Sequence, residues 1–382
     1  IATSTLAYEF TRKVYTLLGM PTENIYADFT SYDLIGENNN EIIKQLTDMK
    51  FDVIIGNPPY QESDGGGRES SAVSLYHKFI ECANVMSPTY TSMIIPARWY
   101  SGGKGLDDFR NMMLSDSHIK FIYDYPETSD CFAHLNIRGG VCYFLRDKNY
   151  KGDCTIYNMK NGTVQSSTMR PLLEPGCQIF IRYNAAINIL TKVRAKNEHT
   201  YGDIVSARNP FRLPSNFSDY AKYADKLHNI KLYRFGEDVY IRPSQVERNT
   251  DLISKWKVLV SKASPGGDEY PHSIVSRPII SEPGSVCTET YLIIQVVPSK
   301  QAAKHLSAYI QTRFFRFMMS LIKNTQNISR GCYSFVPVQN LAADSDIDWS
   351  KSIHEIDTQL YAKYGLTAAE IDFIESKIKP ME

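Results

Sequence analysis

Phe51-Asp52-Val53-Ile54-Ile55 runs straight into Gly56-Asn57-Pro58-Pro59-Tyr60, and the reading of that junction decides the fold. A continuous apolar run of this length is the pattern of a strand buried in a parallel sheet. Its stop is equally marked. Each proline holds its own φ at about −65° and pushes the residue before it out of the helical region, so the turn is stiff before any ligand arrives. In open α/β sheets, ligands bind beyond the carboxyl ends of the strands, which is where this turn falls.

Working outward, residues 40–49 read as a helix leading into that strand. Further upstream, a helix over 3–18 sets Leu6, Phe10, Val14, Leu17 and Leu18 at helical spacing, and Gly19 stops it. Residues 24–29, Asn-Ile-Tyr-Ala-Asp-Phe, read as a short strand with an acid at its end. Downstream come a glycine-rich loop at Gly65-Gly66-Gly67, helices over 74–86 and 106–114, and strands over 90–95, 119–123 and 140–145. That alternation predicts an α/β fold: an open, mostly parallel, Rossmann-like sheet whose final pair includes an antiparallel edge strand.

From about Lys151 the rhythm changes to short β-like runs over 154–157, 239–241, 257–260 and 290–296, separated by Pro and Gly. Helical patterns follow over 305–321 and 353–364, and a last helix begins at the capping box Thr367-Ala-Ala-Glu370. The expected division is one domain over 1–150, a mixed α/β domain over 151–350 and terminal helices over 351–382.

A chain of 382 residues is too long for one ordinary core, which agrees with two domains. Hydrophobic residues at 43% and charged residues at 22% fit a globular protein and exclude disorder, coiled coil and collagen. Lys plus Arg and Asp plus Glu balance at 42 each, so an anionic partner must meet a local basic face. The seven cysteines, Cys82, Cys131, Cys142, Cys154, Cys177, Cys287 and Cys332, contain no C-x-x-C pair, which points to reduced thiols rather than a zinc cluster or disulfide framework. No run reaches the roughly 18 apolar residues that span a bilayer, and no signal peptide is evident. A cytoplasmic protein with no membrane partner is expected. The chain opens on Ile1 inside a helical pattern, so further residues are expected upstream.

The proline-stiffened turn offers two acceptors, the Asn57 side-chain oxygen and the Pro58 carbonyl. Each can take one N–H of a planar exocyclic amine, concentrating density on nitrogen and aiming it for in-line attack on a sulfonium methyl. Tyr60 adds a flat face on which a base can stack, worth roughly 1–3 kcal/mol. A plain rigid turn leaving a strand is the competing reading. The eight histidines show neither H-x-E nor H-E-x-x-H spacing, so zinc deaminase and metalloprotease chemistry lack support and no metal site is expected.

Beyond the motif itself, Gly56-Asn-Pro-Pro-Tyr-Gln61, Leu75-Tyr-His-Lys-Phe-Ile80, Met93-Ile-Ile-Pro-Ala-Arg-Trp99 and Gly139-Gly-Val-Cys-Tyr-Phe144 resemble the adenine-specific amino-methyltransferase domain of type II and type IIG restriction-modification enzymes. Cys287-Thr-Glu-Thr-Tyr291 and Ile347-Asp-Trp-Ser350 resemble the same proteins, so the likeness covers nearly the whole chain. It implies S-adenosylmethionine as methyl donor, double-stranded DNA as substrate and an adenine extruded from the duplex as target. It makes Asn57, Pro58, Pro59 and Tyr60 catalytic, and gives Asp28 and Phe29 the cofactor's adenine ring. Phe132 becomes a candidate to stack on the target base opposite Tyr60. Arg98 and Trp99 are expected to pack near the site without reacting.

The resemblance also makes residues beyond 150 a target-recognition domain. Arg313, Arg316, Lys323 and Arg330 lie in a stretch free of acids, with Asn324, Thr325, Gln326 and Asn327 between them, and suit phosphates and base edges. Lys262, with Lys255 and Lys257, forms a weaker candidate; a solvated helix explains the basic residues equally well. The family's glycine-rich cofactor loop has no counterpart in this reading and would precede Ile1. Gly65-Gly66-Gly67 follows the catalytic strand and reads as a loop near the DNA. A fused or associated nuclease belongs to such systems, although no P-D...E-x-K constellation stands out. The alternatives are an RNA or protein-glutamine methyltransferase, or a cofactor-deficient DNA-binding module.

Overall fold

Alternating helices and strands build a layered first unit, Ile1–Phe180, in a computed structural model that divides the chain there from a second unit, Ile181–Glu382. The structure describes residues 1–26, 28–37, 39–62, 73–103, 105–135, 137, 139–264, 271–323 and 327–381. Gly65-Gly66-Gly67 and residues 324–326 therefore lie outside the described residues.

The first unit runs α1 (Thr5–Leu17), α2 (Asn40–Asp48), β1 (Val53–Gly56), β2 (Gln61–Glu62), β3 (Val73–Ser74), α3 (Tyr76–Met86), β4 (Tyr90–Pro96), α4 (Asp107–Ser115), β5 (Ile119–Tyr125), β6 (Val141–Asp147), β7 (Cys154–Lys160) and β8 (Thr163–Arg170). Six of these strands form one sheet in the order β1-β4-β6-β5-β7-β8. The β1–β4 and β5–β7 pairs are parallel; β4–β6, β6–β5 and β7–β8 are antiparallel. The sheet is thus more mixed than the sequence predicts, and its antiparallel β6 lies inside rather than at an edge.

Two expectations shift here. The division falls at Ile181 rather than at 151, because β7 and β8 complete the first sheet. The described residues among 24–29 form no strand, and a 3-10 helix follows at Ser31–Ile35. A strand at that place would need β1 as its neighbour, and β1 pairs with β4 only, its other edge carrying no partner among the described residues. Val53 and Ile55, read as buried, are 53% and 74% exposed. Helix α1 likewise buries none of its side chains, and Leu6, Phe10 and Leu17 stand in solvent.

One face of the sheet carries the core. Met93, Ile95, Ile122, Cys142, Phe144 and Ile156 pack there against Tyr76, Ile80, Phe109 and Met113 of α3 and α4. Burying side chains of this size contributes about 1.5–3 kcal/mol each. The opposite face is lined by half-buried aromatics, with Tyr123 stacked between Tyr143 and Tyr157 at centroid distances of 4.7 and 4.2 Å.

The second unit holds α5 (Asn184–Arg194), α6 (Tyr201–Ile204), β9 (Ile230–Tyr233), β10 (Val239–Ile241), β11 (Trp256–Ser261), β12 (Ile279–Ser281), β13 (Ser285–Cys287), β14 (Tyr291–Val297), α7 (Lys300–Gln311), α8 (Arg313–Ser320), α9 (Ile353–Lys363) and α10 (Ala368–Lys377). Its strands form two three-stranded sheets, β10-β9-β13 and β12-β11-β14. The helix expected over 305–321 is two, broken at Thr312, whose ψ of 150° leaves the helical region. Thr312 Oγ1 accepts from Phe315 N–H and caps α8. The capping box at Thr367 and Glu370 forms as expected and starts α10.

Candidate active site

Strands β1, β4, β5 and β7 all run in one direction, so their carboxyl ends, and the start of antiparallel β6, share one edge of the sheet. Asn57–Tyr60 follows β1 at that edge. The 3-10 turn Ala97–Tyr100 follows β4 there, and the loop holding Phe132 follows β5. Gly139 and Gly140 enter β6 with φ of 85° and 73°, values that only glycine adopts freely, and the Gly140 carbonyl accepts from Ala97 N–H at 3.0 Å. The loops after β4 and before β6 are thereby tied together beside the turn.

The turn is anchored on its own side too. Val53 to Gly56 register with Tyr90 to Met93, and beyond the turn the Tyr60 carbonyl accepts from Leu75 N–H at 3.1 Å, where β2 pairs with β3. Pro58 is buried, Pro59 and Tyr60 are half-buried, and Asn57 is exposed. Tyr60 packs against the sheet core, and its hydroxyl is buried with no hydrogen-bond partner among the described residues. Burial pushes its pKa up to about 12, the neighbouring Cys131 and Cys142 thiols adding to the rise. Tyr60 is therefore a neutral phenol across the physiological range. It can stack but cannot serve as a base.

Around this turn, Trp99 is fully buried between Tyr100, Phe109 and Phe180, while Arg98 is half-buried. Tyr100 donates to the buried Asp124 carboxylate at 3.0 Å. Phe132 is half-buried, its N–H held by the Thr128 carbonyl, and its neighbour Cys131 lies close enough to Tyr60 to influence its pKa. The structure thus gathers Asn57–Tyr60 and the Phe132 loop at one edge. Asp28 and Phe29 stand differently: Asp28 is exposed on irregular chain, and Phe29 leans on a small cluster of Leu34, Leu46, Leu75 and Phe79.

In the second unit, Arg313 and Arg316 of the basic run do not stand free at the surface. Arg316 is fully buried and its guanidinium donates to the carbonyls of Gln311, Thr312, Ser273 and Lys379. Arg313 is paired with Glu375 at 2.9 Å, its side chain 19% exposed. Helix α8 puts Phe314, Phe315, Phe317 and Met318 into the core, so its basic residues follow them inside. Lys257 is also fully buried, donating to the Leu252 and Lys255 carbonyls; burial pushes its pKa down to about 8. Lys255 is taken by Asp251, and Lys323 is half-buried. Lys262 is half-buried, 3.7 Å from Glu289, and exposed Arg330 donates to the Gly202 and Asp203 carbonyls. Among the described residues, no cluster of His, Cys, Asp or Glu could hold a metal ion, and no helix is long and apolar enough to cross a membrane.

Comparison with known proteins agrees with the geometry of the first unit. Residues 13–132 match the Eco57I restriction-modification methylase family model. A protein of Mycoplasma pneumoniae described as an uncharacterized adenine-specific methylase is 35% identical over 200 residues, 47% of this chain and 46% of that protein. The structure of the type IIL restriction-modification enzyme MmeI in complex with DNA aligns over 96% of this chain and 62% of its own, with a TM-score of 0.51 and 10% identity, a likeness of fold alone. The chain spans about half the length of the curated relative it matches. It resembles the adenine-specific methylases of restriction-modification systems, and its mixed α/β sheet is the Rossmann-like sheet of such enzymes.

Proposed function

We propose that the chain is the base-holding and target-recognising part of a site-specific DNA adenine N6-methyltransferase of a restriction-modification system, with S-adenosylmethionine as methyl donor. One observation carries this reading: an exposed Asn57, followed by buried Pro58 and half-buried Tyr60, at the carboxyl edge of the sheet in a segment matching a methylase family. S-adenosylmethionine supplies an electrophilic methyl. The chain supplies the hold on the nucleophile.

The Asn57 side-chain oxygen and the Pro58 carbonyl each accept one N–H of the extruded adenine's amine, drawing its lone pair out of the ring and onto nitrogen. The Tyr60 ring stacks on the base, with Phe132 as the opposing surface from the loop after β5. No side chain needs to act as a strong base, because the amine proton becomes acidic as the new N–C bond forms, and exposed Asn57 leaves water access to it. Asp28 fits the cofactor in part, its exposed carboxylate being free to accept from an adenine amine; the Phe29 ring is already engaged by its apolar neighbours. The second unit, with the helices beyond 350, is assigned to recognition of duplex DNA in a bacterial cytoplasm.

Asn57→Ala in the full-length gene product tests this. Labelled methyl transfer to duplex DNA is expected to fall by about 10²-fold or more, as when a preorganised polar group is removed from a transition state. Affinity for the duplex stays within about twofold. Methyl transfer at the wild-type rate would sink the assignment.

A further inference from the structure

The basic residues that lie together in the sequence are spent inside the second unit, and the arginines left on its surface converge elsewhere. Residues 206–213 are pinned at both ends. Ser206 exchanges hydrogen bonds with Ile293, its N–H donating to the Ile293 carbonyl and its Oγ accepting from the Ile293 N–H. The Leu213 carbonyl accepts from Glu289 N–H, and Asn249 Nδ2 donates to the Pro210 carbonyl at 2.7 Å. Asn209, Arg212 and Asn249 are all held in the left-handed region, with φ of 56°, 60° and 52°. Such conformations persist only where the surroundings over-determine them, and they cluster at binding sites.

Between this segment and the Arg248-Asn249 turn lies a cavity of about 210 Å³, lined among others by Ile204, Ser206, Pro210, Arg248 and Gln295. Cations ring it. The Arg208 and Arg212 side chains are 73% and 64% exposed, and exposed Arg248 forms part of the wall. Arg208 and Lys262 share the Glu289 carboxylate at 3.1 and 3.7 Å, and Arg212 lies 3.6 Å from Glu247. Arg330 sits on the carbonyls of Gly202 and Asp203, in the short helix that ends at Ile204 on the cavity wall. Two acids, Glu247 and Glu289, thus pair with three of these five cations. The Arg212–Glu247 pair, 64% and 66% exposed, gains little over its solvated partners, so that guanidinium can exchange carboxylate for phosphate at small cost; the exposed Arg208 head is free to share its half-buried Glu289 with a phosphate, and the guanidinium fork matches phosphate oxygens bidentately.

We infer that this surface is where the second unit meets the sugar-phosphate backbone of duplex DNA, with Arg208, Arg212 and Arg248 taking phosphates around the cavity. The inference rests on the DNA reading proposed above and goes beyond it by placing the contact. It also moves that contact away from α8, where the sequence pattern put it.

The test measures fluorescence anisotropy of a short labelled DNA duplex of mixed sequence, titrated with the chain over a range of salt. Each lost phosphate contact flattens the slope of log affinity against log salt by roughly 0.9, so each single Gln variant at 208, 212 and 248 flattens it by about that, and the triple by roughly 2.7. Lys300→Gln, Lys304→Gln and Lys351→Gln together remove the same charge from other surfaces and leave the slope near wild type. A triple Lys variant at 208, 212 and 248 restores most of the slope. A Gln triple indistinguishable from the control triple overturns the inference while leaving the DNA reading intact. A Lys triple as flat as the Gln triple also overturns it, by assigning the loss to loop integrity. Failure of the wild-type chain to bind the duplex overturns both.

Discussion

Tyr60→Phe is expected to stabilise the chain slightly and leave methyl transfer almost unchanged. The hydroxyl it removes is buried without a partner among the described residues, and a buried polar group left unpaired costs about 1–3 kcal/mol. Because the residue as a whole is only half-buried, the lower end applies, about 1 kcal/mol, or roughly 2–4 °C in Tm for a folding unit of this size. The ring that stacks on the base is kept. Tyr60→Ala removes that ring, and a stacking contact of roughly 1–3 kcal/mol corresponds to a loss of about 5- to 150-fold in kcat/KM. Initial rates of labelled methyl transfer at subsaturating duplex, together with thermal unfolding of each variant, measure both effects. With its pKa pushed up to about 12, the phenol does not titrate in the assay range, so wild-type and Phe rate profiles coincide between about pH 6 and 9. A Phe variant slower by tenfold or more would refute the reasoning, because the hydroxyl would then have a partner or a task in the working complex.

Two further predictions concern the second unit. The buried Asp357 carboxylate accepts from Arg313 N–H and Phe314 N–H, both at 2.9 Å, at the start of α8 and near the charge of Arg316. Asp357→Ala orphans both donors and leaves that buried charge uncompensated, a loss of about 3–5 kcal/mol in chemical denaturation; Asp357→Asn, which keeps one acceptor oxygen, loses about half, and a cost below about 1 kcal/mol for Ala would contradict the account. Lys257 has its pKa pushed from 10.5 down to about 8 by burial, so between those values the folded amine is neutral while the unfolded one is still charged. The unfolded chain then binds more protons, and this group's contribution to stability rises with pH across that window. Melting curves of wild type and Lys257→Met are therefore expected to diverge as pH climbs from about 8 to 10, the wild type gaining, and parallel curves would refute it.

The Asn57–Tyr60 turn was legible because its signal is local: an apolar run, two prolines and an aromatic fix a strand and a stiff exit without help from distant residues. The helix over 3–18 and the capping box at Thr367 were legible for the same reason. What failed depended on partners remote in sequence. Residues 24–29 have the composition of a strand, yet a strand exists only where a neighbour takes its hydrogen bonds, and among the described residues none does. Arg316 looked solvated because nothing near it in sequence announces the carbonyls of Ser273 and Lys379, separated from it by 43 and 63 positions. Arg208 and Arg212 lie four positions apart and Arg248 a further 36 along, and only folding, through the Asn249–Pro210 hydrogen bond, brings their segments together. The break at Thr312 was only half visible: the cap is local, whereas Asp357 is supplied by α9.

The bare side of β1 has a consequence for how such a sheet can be assembled. Among the described residues, the Asn57–Tyr60 turn is tied on one flank, through Gly56 opposite Met93 and Tyr60 bonded to Leu75. Val53 and Ile55, two apart and so on one face of the strand, are 53% and 74% exposed, and among the described residues no strand takes the hydrogen bonds of the second edge of β1. A neighbour added along that edge would extend the sheet while the Gly56–Met93 and Tyr60–Leu75 ties hold the turn from the other side.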